Sequence, residues 1–139
     1  MSNHLNETMR EVLEKDKGIL ETFGIEVLKV EDGVCELSSC VPEALVNAGG
    51  YAHGAIVYAL MDTGCAYALR SRERRGVTVH GDVNYVKGGQ AGTVFRAIVQ
   101  VSSLTRRVAT LRGEVFVDVE GQAPALAAHG SFVFQLVVD

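Results

Sequence analysis

Apolar positions along the chain switch between two spacings, and the switches mark out the elements. Met9, Val12, Leu13 and Leu20 stand at roughly helical intervals, which predicts a first helix over Asn6 to Phe23, stopped by Gly24. Ile25 to Val30 and Val34 to Val41 read as two strands, joined through Glu31-Asp32-Gly33, an acidic pair plus glycine that suits a tight turn. Pro42 to Ala52 is loop-like, with Asn47, Gly49 and Gly50 as breakers. His53-Gly54 then opens a long apolar helix running to about Leu69 or Arg70. Within it Gly64 costs about 1 kcal/mol against alanine.

From there the period is two. Val77, Val79, Val83 and Tyr85 alternate with Thr78, His80, Asp82 and Asn84, and Gly81 interrupts the run. Thr93 to Val101, Arg107 to Val119 and Ala125 to Val138 continue the pattern. Gly88-Gly89, Leu104-Thr105 and Glu120-Gly121 supply the connections. The order is helix, two strands, long apolar helix, four strands. A helix apolar on nearly every face must be buried almost all round. The economical solution is an antiparallel sheet curled around it, an α+β architecture, with residues 1–139 as one domain.

Composition narrows the class. The 139 residues are 47% hydrophobic with a net charge of -4, which fits a folded globular protein and gives no general reason to expect nucleic acid or an anionic membrane surface as partner. Cys35, Cys40 and Cys65 make no metal-ligand spacing and cannot all pair internally, which points to a reducing compartment. The polar start (Ser2, Asn3, His4, Asn6, Glu7) has no secretory signal pattern. Gly54 to Leu69 is too short for a membrane span and carries Asp62. A cytoplasmic location is expected.

Between Glu43 and Arg70 stand one ionic side chain, Asp62, and one imidazole, His53. A carboxylate on a buried helix finds a partner or has its pKa raised, and either condition suits a general base or nucleophile. A polar residue facing a solvated notch is the alternative. In Asn47-Ala48-Gly49-Gly50-Tyr51-Ala52-His53-Gly54, Gly54 stands at the positive end of the helix dipole. There its N–H can polarise a carbonyl oxygen, with His53 and Asn47 bracing loop or ligand. A plain turn, with His53 as helix cap, is the alternative here.

Eight residues separate Gly54 from Asp62, roughly 12 Å along one helix at 1.5 Å per residue. If both serve one site, Asp62 must come from a second, antiparallel copy of the helix, as in a two-fold dimer with two equivalent sites.

Asn47-x5-His53-Gly54-x7-Asp62 resembles the active-site signature of hotdog-fold acyl-CoA thioesterases, in particular the phenylacetic-acid-degradation type. The similarity runs from about Leu20 to about Phe134, through Phe23-Gly24-Ile25-Glu26-Val27, Val30-Glu31-Asp32-Gly33 and Asp62-Thr63-Gly64-Cys65-Ala66-Tyr67-Ala68. The resemblance implies a hotdog fold, a sheet wrapped around the long helix, and hydrolysis of an aryl- or fatty-acyl-CoA to free acid and CoA. It implies that the Gly54 N–H polarises the thioester carbonyl, that His53 and Asn47 position loop and substrate, and that Asp62 of the facing subunit activates water or attacks directly. Thr78 matches a position that holds water in some relatives. Arg106 and Arg107, in the turn after Thr105, match a basic position that in relatives lies near the CoA nucleotide, where guanidinium suits phosphate, and Thr105 is counted with them as CoA-binding; Lys87 is a second candidate. Arg72, Arg74 and Arg75 are further candidates. His80 and His129 are read as packing or surface residues.

The partners implied are an acyl-CoA and further copies of the chain, as a dimer and then a homotetramer, with no nucleic acid and no membrane. No metal or redox cofactor is implied. The chain departs from the family pattern at Ala55, where a second glycine is usual, and at Gly88, where proline is common. Ala66 stands where the hydroxybenzoyl-CoA branch uses a hydroxyl. A non-catalytic acyl-CoA-binding module on the same fold is the runner-up, and a hotdog dehydratase or hydratase ranks last.

Overall fold

The computed structural model describes residues 7–138. Helices α1 (Glu7–Lys15) and α2 (Lys17–Thr22) lead into strands β1 (Ile25–Glu31) and β2 (Val34–Cys40). A single 3-10 turn (Glu43–Leu45) and a loop precede the long helix α3 (Gly54–Arg70). Strands β3 (Gly76–Tyr85), β4 (Val94–Leu104), β5 (Val108–Val117) and β6 (Ala125–Leu136) complete the chain. All six strands form one sheet in the order β1-β2-β4-β5-β6-β3, every neighbour antiparallel, so that β1 and β3 are its edges. The α+β architecture expected from the sequence, a sheet around one long helix, is the one found.

The central helix is buried where its apolar residues meet the sheet: Ile56, Val57, Leu60, Met61, Cys65, Tyr67, Ala68 and Leu69 form the core with Leu37, Phe95, Val99, Leu111, Val115 and Phe132. Alternation does the sorting within strands. Along β5, Ala109, Leu111, Val115 and Val117 face the helix, while Arg112 and Glu114 face outward. Gly64 also finds its reason. A Cβ there would stand 2.8 Å from Val99 Cγ2, so the glycine that weakens the helix is what lets β4 approach it.

Three expectations need correction. The first helix is two, broken at Asp16, whose carboxylate accepts a hydrogen bond of 2.8 Å from the buried Tyr67 of α3; Asn6 lies outside the described residues. Within 42–52, predicted as loop, Glu43–Leu45 closes into the 3-10 turn, and Tyr51 bridges to Gln90. In β3 the alternation is incomplete: Val83 is half-buried against the core, but Val77 and Val79, 62% and 56% exposed, are as open as Thr78 and His80 between and after them. The register with β6 shifts between Thr78 and His80, a bulge that turns Thr78 toward the helix. Among the described residues no helix is long and apolar enough to cross a membrane.

Two outcomes follow from the packing. A Cβ on Gly130 would collide with the backbone carbonyl oxygen of Asp82 on the paired strand. Gly130→Ala should therefore destabilise by roughly 2 kcal/mol or more, lowering Tm by about 5 °C or more, read by circular dichroism. An unchanged Tm would contradict the close approach of β3 and β6. The second outcome concerns the thiols. Burial first, then Asp62 and Cys35, pushes the Cys65 thiol far above its usual range, and burial and then Glu36 do the same for Cys35. Cys40 is exposed. Native protein should thus titrate one thiol per chain with a chromogenic disulfide, and three once unfolded. Because the folded state holds those two protons longer than the unfolded chain does, stability should fall as pH rises past the ordinary thiol value of about 8.5. A Tm that rises between pH 7.5 and 10 would contradict this.

Candidate active site

Asp62 sits midway along α3, half-buried among apolar neighbours, and its partner is Thr78. The Thr78 hydroxyl on β3 donates to Asp62 Oδ1 at 2.6 Å. A short bond from a hydroxyl to a carboxylate is of the strong, charge-assisted kind. It orients the carboxyl group and leaves Oδ2 uncommitted to Thr78.

The loop before α3 is braced by its own polar groups. Asn47 Oδ1 accepts from the N–H of Gly49 at 3.0 Å and of Tyr51 at 3.1 Å, an Asx turn that closes 47–51. The N–H of Asn47 reaches back to the carbonyl of Tyr51 at 2.7 Å. His53 caps the helix: its Nδ1 accepts from Ala55 N–H at 3.0 Å, and its carbonyl accepts from Ile56 N–H at 3.0 Å. A ring nitrogen that accepts carries no proton, so a neutral His53 in this arrangement holds its proton on Nε2. Two of the first N–H groups of α3 are thereby satisfied. That of Gly54, exposed at the positive end of the helix, has no acceptor among the described residues. It is a donor left free at the start of the helix.

The residues singled out in the sequence therefore form two groups on one chain. Asp62 and Thr78 make one. Asn47, His53 and Gly54 make the other, roughly 12 Å away along the helix. The basic candidates divide in the same way. Lys87 lies just past β3, two residues after Tyr85, whose hydroxyl bonds the Gly54 carbonyl at 2.8 Å. Arg106 and Arg107 lie in the β4–β5 turn beyond the far end of α3. There Arg74 donates to the carbonyls of Thr105 (3.3 Å) and Arg106 (2.7 Å). Thr105 is committed to that turn, its hydroxyl donating to the Val108 carbonyl at 3.0 Å and accepting from the Val108 N–H at 3.1 Å. A concavity of about 220 Å³ beside it is lined by Glu73, Arg74, Arg75, Arg106, Val137 and Val138. A roomier one, about 570 Å³, lies on the outer face of the sheet among Gln100, Arg112, Glu114 and His129. It is unrelated to either group.

The Tyr85 contact was not read from the sequence. It joins residues 31 apart and leaves no spacing signal.

Comparison with known proteins places the chain in a family. Residues 49–123, which include both groups except Asn47, match the model of the thioesterase superfamily. A candidate esterase of Sulfurisphaera tokodaii is 29% identical over 134 residues, 94% of this chain and 96% of that one. The acyl-coenzyme A thioesterase PaaI of Escherichia coli is 26% identical over 81 residues, 58% of each chain. The structure of the E. coli PaaI protein superimposes with a TM-score of 0.80 over 91% of this chain and 93% of that one, at 19% identity, a likeness of fold. A variant of the phenylacetic acid degradation protein PaaI of Thermus thermophilus is 29% identical, with a TM-score of 0.76 over 85% of this chain and 97% of that one. With a six-stranded antiparallel sheet around a long helix, and with its loop, helix start and mid-helix carboxylate all inside or beside the matched segment, the chain belongs to the thioesterase superfamily.

Proposed function

We propose that the protein hydrolyses acyl-CoA thioesters at two equivalent sites, each shared between two copies of the chain. The observation that carries this reading is Asp62, held by Thr78 of β3, on the same helix as the unsatisfied Gly54 N–H and too far from it to meet within one chain. The open edge of the sheet favours the pairing. Strand β3 presents Val77, Val79 and Tyr85, all more than half exposed, and such an edge is a template for another strand. A second copy paired there about a two-fold axis runs its α3 antiparallel to the first and brings its Gly54 toward Asp62.

In that site the thioester carbonyl oxygen accepts from the Gly54 N–H of one subunit. Asp62 of the other takes a proton from a water molecule whose oxygen bonds to the carbonyl carbon. Thr78, donating to Asp62, keeps its lone pairs for the same water. The tetrahedral adduct collapses with cleavage of the C–S bond, and the proton held by Asp62 passes to the departing sulfur, giving free acid and CoA. His53 and Asn47 hold the loop that presents Gly54. Arg106, Arg107 and Arg75, clustered near the far end of the helix, suit the CoA phosphates, with Lys87 of the facing subunit as a further cation. Tyr51 and Tyr85, half exposed beside Gly54, together with the likeness to PaaI of T. thermophilus, favour an aromatic acyl group.

The test is thiol release from a panel of acyl-CoAs by wild type and Asp62→Asn, after the reactive Cys40 has been blocked. Turnover of an aromatic acyl-CoA, reduced about 100-fold or more in the variant, is expected for loss of a general base. Thr78→Val should lose about ten-fold, the scale of one hydrogen bond to a charged group. Binding of acyl-CoA without turnover by folded wild type would replace the hydrolase with a non-catalytic binding module.

A further inference from the structure

The hydroxyl of Tyr85 belongs to no role assigned so far, yet it touches the residue that presents the free N–H. It donates to the Gly54 carbonyl at 2.8 Å, and a Cβ built on Gly54 would lie 3.4–3.6 Å from the tyrosine's hydroxyl and ring. The ring thus lies against the first turn of α3 on the side of the Gly54 Cα. Glycine is the residue with most backbone freedom, and this one sits at a helix end, where intrahelical bonds are fewest. His53 restrains its neighbour Ala55. Tyr85 holds the same Gly54–Ala55 peptide from its carbonyl end, and with it the Gly54 Cα that carries the free N–H.

The bond's origin matters as much as its length. Tyr85 is the last residue of β3, the strand that also carries Thr78. One edge strand therefore grips α3 twice, by Thr78 at Asp62 and by Tyr85 at Gly54. Both grips are hydroxyl groups, and they fall on the two positions that the proposed reaction uses. Nearby, Tyr58, one turn further along α3, packs edge-on against Phe132 at 5.2 Å between ring centroids. Burial first, and Tyr58 second, raises the Tyr85 phenol above its usual range, so it keeps the proton it donates throughout the neutral and mildly alkaline range.

We infer that Tyr85 is a positioning residue for the reaction, its hydroxyl fixing the Gly54 peptide so that the neighbouring N–H points at the thioester oxygen. This rests on the hydrolase reading above and deepens it. A donor held in advance lowers the barrier without changing how the rest of the substrate binds. The loss should therefore fall on kcat and leave KM in place.

The experiment compares wild type, Tyr85→Phe and Asp62→Asn with whichever acyl-CoA the wild type turns over. Each is also measured for Tm and, by size-exclusion chromatography, for assembly. Phenylalanine keeps the ring and removes the bond. Tyr85→Phe is expected to lower kcat about ten-fold, with KM within two-fold, Tm within about 2 °C, elution unchanged, and the assigned Gly54 amide resonance shifted. A kcat equal to wild type while Asp62→Asn is inactive would overturn the role of Tyr85 and leave the hydrolase reading intact. A loss of kcat accompanied by dissociation would overturn it too, by assigning Tyr85 to assembly. Absence of turnover in the wild type would remove the hydrolase reading and this role with it.

Discussion

Helix α3 buries nine of its 17 residues, and the sheet is shaped by having to cover them. A helix this apolar leaves few places where chemistry can reach the surface: its first turn, and any polar side chain that a neighbouring strand agrees to satisfy. Gly54 is the first kind of place and Asp62 the second. The rest of the site follows from that constraint. The loop 47–53 exists to end on a cap that leaves one N–H free, and β3 carries a hydroxyl where the helix carries a carboxylate. With both groups on one straight helix, their separation is set by its rise, and no side-chain rotation brings them together.

The same edge strand bears on assembly and on chemistry. Strand β3 pairs with β6 on one side and is open on the other, with valines outward and Thr78 turned inward by the bulge. A second chain laid along that edge would cover the valines and join the two helices' sites in one step. Apolar exposure on an edge is a liability in a lone chain. Here it has a use.

Much of this was legible before the fold was known, and the reasons are physical. Helix α3 announces itself by His53-Gly54 at its start and an apolar run of fixed length, and it runs from Gly54 to Arg70 as read. Asp62 stood out because a lone carboxylate in an apolar helix demands a partner. What stayed hidden were contacts between elements. The register shift between Thr78 and His80 interrupts the β3 alternation, and a period-two pattern has no mark for a single extra residue. Thr78 was named for its likeness to relatives, yet its bond to Asp62 depends on that bulge. Asp16, where the first helix breaks, is bonded by Tyr67, 51 residues away, and the grip of Tyr85 on Gly54 spans 31. Arg106 is a candidate by its likeness to relatives and Lys87 by its charge; on one chain they stand beyond opposite ends of α3.

The most direct test of a site shared between subunits is complementation in a defined heterodimer. Gly54→Pro removes the N–H itself. Proline suits the first helical position, and His53 already has φ -59 and ψ 137, the extended conformation that a residue before proline requires. Chains carrying Gly54→Pro and Asp62→Asn, each inactive as a homodimer, would be given different tags, co-expressed and purified through both. If each site takes Gly54 from one chain and Asp62 from the other, one of the heterodimer's two sites is intact and activity returns to about half that of wild type. A heterodimer no more active than its parents would contradict the shared site.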